Sequence, residues 1–313
     1  MLRKHFGGLA IISLTGAVFL LMNVAVASDR VMPALDVPML QSNKGHPLIE
    51  VNFPGAGMVD CVVDTGAMAG VAPKAVLAAL GEFGEAMPEV SATGANGSVS
   101  VERVRVSGLR VADLELPAMT FVQRDLDGLT GPRGETACVI GQPLLTPYAV
   151  EFDGVEQRFR LWPKDSVADW SARHRAQSTD FLQPLAAFPV HQTSWSEGSI
   201  RWVLDTGAPL TSINAAARSA MGLGQEAPLR LVTRRGLDGL SKEQPVISIP
   251  PTLIYAGLRK QTEVEVGDLP VLMVLGVGPD QAGGLVGADI IAGQRLLIDY
   301  QGKQIWVGQS DGS

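Results

Sequence analysis

Short apolar stretches that alternate with polar residues dominate the chain beyond its first 30 residues. In residues 98–122, SVSVERVRVSGLRVADLELPAMTFV, apolar side chains recur at about every second position, the spacing of a β-strand with one buried face. Residues 245–275 alternate in a similar way but are interrupted by prolines. Little of the chain has the longer period of an amphipathic helix. The pattern therefore predicts a mainly β protein.

One pattern occurs twice along the chain. Asp64 and Asp205 each follow a short apolar run, and each begins the tetrapeptide Asp-Thr-Gly-Ala. A short helix is predicted after each tetrapeptide, over residues 73–81 and 214–222, because Pro or Asn opens the segment and Gly closes it. The two neighbourhoods therefore read as copies of one unit.

A second pair of matching blocks sets the limits of the two copies. Residues 138–154 and 284–300 both read as a buried strand, a glycine, a helical turn and a hairpin. A length of 313 residues accommodates two domains of moderate size. We expect a first lobe at residues 35–163, a connection at 164–180 and a second lobe at 181–311.

The N-terminal segment, residues 1–27, differs from the rest of the chain. It has a basic start, a long apolar run and the sequence Ala-Val-Ala directly before Ser28, which predicts an export signal. The protein is then expected in the periplasm or secreted. The alternative is an uncleaved inner-membrane anchor facing the periplasm, which would be the protein's only contact with a membrane.

Charge and cysteine content narrow the class of protein further. The formal net charge of −7 argues against nucleic-acid binding. Cys61 and Cys138 are the two cysteines of the chain, and an oxidising compartment makes them candidates for a disulfide, with two separate buried thiols as the alternative. His46, His174 and His191 have no metal-ligand spacing and are expected on the surface or in loops, so we expect no metal and no cofactor.

Two aspartates brought together by a pseudo-twofold axis would form a carboxylate dyad. If Asp64 and Asp205 lie close together, they cannot both ionise easily, so the pair holds one proton over a wide pH range. The ionised carboxylate can then activate a water molecule while the protonated one polarises an amide carbonyl. This chemistry requires no metal and no nucleophilic side chain.

The residues after each aspartate suit a supporting role. The hydroxyl groups of Thr65 and Thr206 can brace the two loops by hydrogen bonds to the partner backbone. Gly66 and Gly207 allow backbone N–H groups to approach the carboxylates. A carboxylate at the end of a buried strand is tolerable when it shares a proton and accepts such bonds.

The motifs VVDTGA and VIGQPLLTPY resemble those of the aspartic peptidases, and of their retropepsin-like branch in particular. The resemblance covers nearly all of residues 35–311 and is that of a fused, exported bacterial form. It implies a bilobal acid-protease fold, with two retropepsin-like β-barrel lobes related by a pseudo-twofold axis. By the family pattern, Asp64 and Asp205 would be the catalytic pair of a monomeric aspartic endopeptidase that cuts envelope or periplasmic proteins or peptides.

The resemblance also bears on the cysteines and on the main alternative function. In the fold of the family, the strands that carry Cys61 and Cys138 are neighbours, which makes a disulfide between them reasonable. The alternative to a peptidase is a catalytically inactive periplasmic binding or scaffold protein with the same fold. Retention of both aspartates argues against it, because a binding protein could relieve the charge repulsion by losing one of them.

Two features depart from the family pattern or fit it less closely. Ala67 and Ala208 stand where pepsin-like enzymes carry a hydroxyl, so we expect a higher dyad pKa and a pH optimum less acidic than that of pepsin. The candidate flap tip, Gly94, Ala95, Asn96 and Gly97, also reads as an ordinary turn. Its counterpart in the second lobe begins with Arg234 and Arg235, which are unusual in a surface that covers a peptide.

Overall fold

The computed structural model describes residues 31–93, 98–182, 188–195, 198–224, 227–235, 241–255, 258–274, 276–278 and 280–309. The expected export signal, residues 1–27, and the expected flap tip, Gly94, Ala95, Asn96 and Gly97, lie outside the described residues. Within the described ranges, no helix has both the length and the apolar character needed to cross a membrane.

The chain is mainly β, as its alternating pattern predicts. The strands are β1 Leu35–Pro38, β2 Leu40–Gln41, β3 Pro47–Phe53, β4 Gly57–Val63, β5 Gly70–Ala72, β6 Gly84–Thr93, β7 Ser98–Val106, β8 Arg110–Val111, β9 Leu114–Glu115, β10 Met119–Gln123, β11 Cys138–Ile140, β12 Ala149–Asp153, β13 Arg158–Trp162, β14 Gln177–Asp180, β15 Val190–Trp195, β16 Gly198–Leu204, β17 Ser212–Ile213, β18 Arg230–Arg235, β19 Ser241–Tyr255, β20 Leu258–Val266, β21 Gly283–Val286, β22 Arg295–Asp299 and β23 Gln304–Gly308. The helices are α1 Lys74–Ala78, α2 Gln142–Leu145, α3 Val167–Arg173, α4 Ala215–Ala220 and α5 Val271–Val274, with 3₁₀ turns at Gly81–Phe83, Lys164–Ser166 and Ala288–Ile291.

Two sheets with matching strand order form the two lobes. The first-lobe sheet has the order β6-β7-β10-β5-β11-β4-β3-β8-β9, with β2 beside β3, and the second-lobe sheet has the order β18-β19-β20-β17-β21-β16-β15. In both, the strand that precedes the aspartate runs parallel to a later strand, which is in turn antiparallel to the strand after the Asp-Thr-Gly loop. This correspondence confirms the bilobal fold of two related halves.

A third sheet, which we call the shared sheet, joins the halves. Its order is β1-β13-β12-β22-β23-β14, so each half contributes three strands and the antiparallel pair β12–β22 lies in the middle. Residues 177–180, which the sequence analysis assigned to the connection, form β14 and pair with β23 as β1 pairs with β13. The rest of that segment includes helix α3. The polar sequence Gln-Ser-Thr-Asp of β14 carries no alternating pattern that could have revealed it.

Buried charges stabilise the centre of the shared sheet. Asp153 is fully buried, and its Oδ2 atom accepts hydrogen bonds from Arg160 at 3.0 Å and from Arg295 at 3.2 Å. Burial alone would raise the pKa of Asp153, but hydrogen bonds from the Glu156 backbone and from the two arginines hold it below its usual value. Because Arg295 belongs to the second half, this network connects the two halves, and removal of one partner from such a pair typically costs about 3–5 kcal/mol.

Cys61 and Cys138 form a disulfide, as the resemblance implied. They are register partners on the parallel strands β4 and β11, both are fully buried, and their Cα atoms lie 4.3 Å apart. The bond spans 77 residues of sequence, for which loop entropy gives a stabilisation on the order of 4 kcal/mol. The second lobe has Trp202 and Gly284 at these positions, and a Cβ atom on Gly284 would lie 2.6 Å from the indole ring.

The helix after the second aspartate loop, α4, ends just before Gly222, as predicted, whereas α1 ends earlier than predicted, at Ala78, and Gly81 opens the 3₁₀ turn Gly81–Phe83. Helix α4 begins after Asn214, whose side chain accepts a hydrogen bond from the Ala217 N–H at 2.8 Å. Gly81 and Gly222 follow α1 and α4 with φ of +56° and +67°, a conformation that glycine adopts without strain. Each aspartate loop is thus framed by a strand before it and by a short strand and helix after it.

Candidate active site

Asp64 and Asp205 stand at the ends of equivalent strands. Asp64 follows β4 and donates its backbone N–H to the Ile140 carbonyl at 2.9 Å. Asp205 follows β16 and donates its backbone N–H to the Val286 carbonyl at the same distance. Both aspartates are partly exposed. The parallel neighbour strand therefore holds the backbone of each aspartate where the chain leaves the sheet.

Thr65 and Thr206 brace the two loops against each other. Each hydroxyl accepts a hydrogen bond from the backbone N–H of the other threonine, at 3.0 and 3.1 Å. The Thr65 hydroxyl also donates to the Leu204 carbonyl at 2.7 Å, and the Thr206 hydroxyl donates to the Val63 carbonyl at 2.6 Å. Both side chains are fully buried. Four hydrogen bonds across the pseudo-twofold axis thus hold the two loops together.

Gly66 and Gly207 face the carboxyl group of the opposite lobe. The Gly66 N–H donates to Asp64 Oδ1 at 2.7 Å, and the Gly207 N–H donates to Asp205 Oδ1 at 3.0 Å. A Cβ atom on Gly66 would lie 2.8 Å from Asp205 Oδ1, and one on Gly207 would lie 2.7 Å from Asp64 Oδ1. Both loops therefore require glycine here, since any side chain would collide with the opposite aspartate.

The two carboxyl groups lie side by side, since a Cβ atom on Gly66 would lie 3.2 Å from Asp64 Oδ1 and 2.8 Å from Asp205 Oδ1, and they titrate as one unit. Burial and the charge of Asp205 raise the pKa of Asp64 well above its usual value. Burial also raises the pKa of Asp205, but hydrogen bonds from Asp64 and the Gly207 backbone and the positive charge of Arg234 limit the increase. The pair therefore holds one shared proton and one negative charge over a wide pH range.

The glycine of the second matching block lies directly behind each aspartate loop. A Cβ atom on Gly141 would lie 2.8 Å from the Ala67 Cβ, and one on Gly287 would lie 2.8 Å from the Ala208 carbonyl oxygen. The residues after these glycines, Gln142 and Ala288, donate backbone N–H groups to the Ala67 and Ala208 carbonyls at 2.9 and 2.7 Å. This close packing explains why the repeat includes a glycine so far along the sequence from the aspartate.

His46, which the sequence analysis expected on the surface or in a loop, lies in the loop before β3 but is buried rather than at the surface. It has 7% of its surface exposed, its side chain hydrogen-bonds to Ser42, and it lies beside the backbone of Gly207 in the opposite lobe. Burial and the nearby Lys44 lower its pKa to about 4, so it is neutral at physiological pH. His46 lies one residue before β3, and at the corresponding place the second lobe has the apolar residue Phe188, two residues before β15. This correspondence is the sequence signal that could have identified His46 as buried.

Arg234 also lies closer to the site than its surface-like sequence context suggests. The side chain is only 12% exposed, and its charge acts on Asp205.

The expected flap tip of the first lobe remains a prediction, because Gly94, Ala95, Asn96 and Gly97 are outside the described residues. Within the described part of the chain, no three His, Cys, Asp or Glu side chains are grouped as a metal site would require.

Comparison with known proteins gives one family match. Residues 49–144, which include Asp64 but not Asp205, match the family model described as "Aspartyl protease". This segment is well under half of the chain and lies within the first lobe. No curated protein sequence matches the chain.

A comparison with solved structures finds similarity to the crystal structure of the aspartic proteinase from Irpex lacteus. The TM-score is 0.49 and the sequence identity is 16%, over 88% of this chain and 98% of that one.

The threonine brace leads to a prediction about stability. Thr65→Val keeps the size of the side chain but removes the hydroxyl, which leaves the Thr206 N–H and the Leu204 carbonyl buried without partners. We expect a loss of about 2–4 kcal/mol in the free energy of unfolding, measured by urea denaturation with tryptophan fluorescence. Thr65→Ser, which keeps the hydroxyl, should lose only about 1 kcal/mol for its missing methyl group. Equal stability of the two variants would contradict the brace.

The raised pKa of Asp64 leads to a second prediction. A group whose pKa is raised by folding stabilises the protein when protonated, and this contribution is lost as the pH rises through the folded-state pKa. Asp64→Asn should therefore raise the melting temperature at pH 7, by the equivalent of about 1 kcal/mol or more, and this gain should shrink as the pH falls toward 4. Asp113→Asn, at an exposed position, serves as the control and should change little. A destabilised Asp64→Asn variant at pH 7 would contradict the raised pKa.

Proposed function

We propose that the chain is an aspartic peptidase, an endopeptidase that hydrolyses peptide bonds with a water molecule activated by Asp64 and Asp205. The observation that carries this proposal is the close pair of carboxyl groups held by the Thr65–Thr206 brace. Such a pair supplies a general base and a general acid within reach of one substrate carbonyl.

The proposed reaction starts with one proton on the dyad, which the scheme places on Asp64. The Asp205 carboxylate takes a proton from the bound water as the water oxygen attacks the substrate carbonyl carbon, and Asp64 gives its proton to the carbonyl oxygen. Asp205 then passes its proton to the leaving amide nitrogen as the C–N bond breaks. Asp64 recovers a proton from the intermediate, so the dyad ends as it began. General acid–base catalysis of this kind typically contributes a factor of about 10² to 10⁴.

The positions of the two aspartates support this use of the dyad. The Thr65 and Thr206 hydroxyls leave the loops little freedom relative to each other, and the Gly66 and Gly207 N–H groups fix one oxygen of each carboxylate. Groups held in place before the reaction need no reorganisation when charge develops in the transition state. The partial exposure of both aspartates leaves them accessible to a substrate.

The substrate we propose is a protein or peptide bound in an extended conformation between the lobes. Extended peptides bind through backbone hydrogen bonds, and side-chain pockets add specificity. With the N-terminal segment read as an export signal, the substrates are envelope or periplasmic proteins, and the enzyme acts as a monomer in the periplasm or outside the cell, or anchored by an uncleaved N-terminus.

Substitution of either aspartate tests the proposed dyad. The purified chain should cleave an unstructured protein such as denatured casein, and Asp64→Asn and Asp205→Asn should each reduce kcat/KM by at least about a hundredfold, because each removes one partner of the acid–base pair. Cleavage is followed by mass spectrometry. Ser42→Ala, which changes a hydroxyl bonded to His46 and not to the dyad, is the control and should keep most of the activity.

Two results would count against a peptidase with one shared site. Full activity in either aspartate variant would exclude the dyad. If folded wild-type protein binds unstructured peptides but cleaves none of them between pH 3 and 8, the alternative of an inactive binding or scaffold protein would replace the proposal.

The pH dependence of cleavage forms a further prediction. Burial raises the pKa values of both aspartates, so the doubly protonated, inactive form should persist to a higher pH than it does in pepsin. Activity should also extend further toward neutral pH, since the dyad holds its shared proton more tightly. The pH profile of kcat/KM should therefore peak at a less acidic pH than that of pepsin. A maximum near pH 2 would contradict this expectation.

A further inference from the structure

The matching strand orders of the two lobes allow equivalent positions to be compared residue by residue. In the first lobe, Val71 on β5 is paired with Val122 on β10. In the second lobe, Ser212 on β17 occupies the same place and is paired with Glu265 on β20. The positions are therefore structural equivalents, although their side chains differ in polarity.

The strand registers of the hairpins β6–β7 and β18–β19 identify the first-lobe position that is equivalent to Arg234. Val122 faces Arg103 on β7, and four residues earlier on that strand Val99 faces Ala92. Glu265 faces Val246 on β19, and four residues earlier on that strand Lys242 faces Arg234. Arg234 is thus the second-lobe counterpart of Ala92.

These positions form an apolar cluster in the first lobe. Val71 and Val122 belong to one buried apolar group, and Ala92 packs against it. Ala67, the residue directly after the Asp64-Thr-Gly triplet, packs against the same group. The first-lobe apolar cluster therefore adjoins the aspartate loop, on the side where the β6–β7 hairpin lies.

At the equivalent place in the second lobe, Arg234, Ser212 and Glu265 form what we call the polar cluster. Arg234 Nη2 lies 2.7 Å from the Ser212 hydroxyl oxygen and 2.8 Å from Glu265 Oε1. The side chains of Arg234 and Glu265 are only 12% and 7% exposed. Among the described residues, Arg234 Nη1 is buried and has no hydrogen-bond partner. A guanidinium group held at one nitrogen thus has its second nitrogen free to donate.

An unpaired buried donor costs free energy unless a partner reaches it. Arg234 contacts Ser212 on β17, the strand that follows the Asp205 loop, which places the guanidinium group beside that loop, and its charge acts on Asp205. A substrate side chain on the second-lobe side of the dyad could bring an acceptor to this nitrogen. The first-lobe apolar cluster offers no such donor, so the two sides of the site differ in what they can recognise.

We propose that Arg234 is a specificity-determining residue that donates from Nη1 to the carboxamide oxygen of a substrate Gln or Asn side chain, on the second-lobe side of the cut bond. The first-lobe apolar cluster would take an apolar side chain on the other side. This inference rests on the proposed function and specifies its substrates as peptides with an apolar residue and a carboxamide residue flanking the cut bond.

The local charges favour a carboxamide over a carboxylate. Arg234 is already paired with Glu265, and the dyad carries one negative charge nearby. A substrate carboxylate would add a second negative charge to a site that is negative overall, whereas a carboxamide supplies the acceptor oxygen without charge.

The test compares two enzyme variants with the wild type. Arg234→Met alone would leave Glu265 buried without its partner, so the double variant Arg234→Met/Glu265→Leu removes both charges and makes the cluster apolar, like its counterpart. Arg230→Met is the matched control, because Arg230 is an exposed arginine on the same strand, paired with Glu263. Thermal unfolding of the full chain establishes that each variant is folded.

Cleavage of matched peptides gives the first readout. Cut sites in denatured casein identify the residue that flanks the cut bond, and peptides with Gln, Glu or Leu at that position are compared by kcat/KM. Wild type and Arg230→Met should prefer Gln over Leu, and over Glu, by about tenfold or more, as expected when a charged donor gains its acceptor. The double variant should prefer Leu. A wild-type preference for Leu or Glu, or a preference for Gln that survives in the double variant, would overturn the assignment.

Binding of the same peptides gives a second readout that does not require cleavage. Fluorescence anisotropy with Asp64→Asn protein should show the same order of affinities, which Arg234→Met/Glu265→Leu should reverse. If these affinities are found but wild type cleaves no peptide, the proposed function fails and the role of Arg234 stands. If peptides are cleaved without any effect of the double variant, the peptidase stands and the role of Arg234 fails. Folded protein that neither binds nor cleaves peptides would overturn both.

Discussion

The reciprocal hydrogen bonds between Thr65 and Thr206 are the constraint on which the rest of the site depends. Each threonine reaches the backbone of the other loop, so neither loop can take its observed position without the other. Two carboxyl groups at close range would otherwise move apart to relieve their repulsion. The brace resists that separation, and the raised pKa of Asp64 is its electrostatic consequence. The close approach of the two carboxyl groups lowers the stability of the folded protein locally, and it keeps both groups near enough to share one proton.

Most of the fold and the centre of the site were accessible from the sequence because the chain contains the pattern twice. One Asp-Thr-Gly triplet is common, but two, each after an apolar strand and before a matching glycine block, indicate a repeated unit. The alternation in residues 98–122 predicted strands that β7 to β10 confirm. The disulfide followed from the resemblance, since sequence spacing alone could not exclude two separate thiols.

What the sequence could not supply are contacts made between distant segments or by segments without a pattern. Strand β14 is four polar residues, and only its pairing with β23 identifies it. His46 meets Gly207 across the two lobes, a contact that no local periodicity encodes. Arg234 is an unusual residue for a surface that covers a peptide, but its equivalence to Ala92 depends on strand registers that the structure alone provides. In each case the deciding interaction is tertiary.

The network at Asp153 has a consequence for the history of the molecule. Asp153 and Asp299 are equivalent in the repeat, and in the central pair of the shared sheet Asp153 faces Arg295 while Asp299 faces Ala149. Arg295 and Ala149 are therefore equivalent positions that have diverged. Two copies of the first half would set an alanine opposite each Asp153, without the arginine that now pairs with it. The halves have ceased to be interchangeable, so the shared sheet needs one copy of each, a ratio that a single fused chain guarantees.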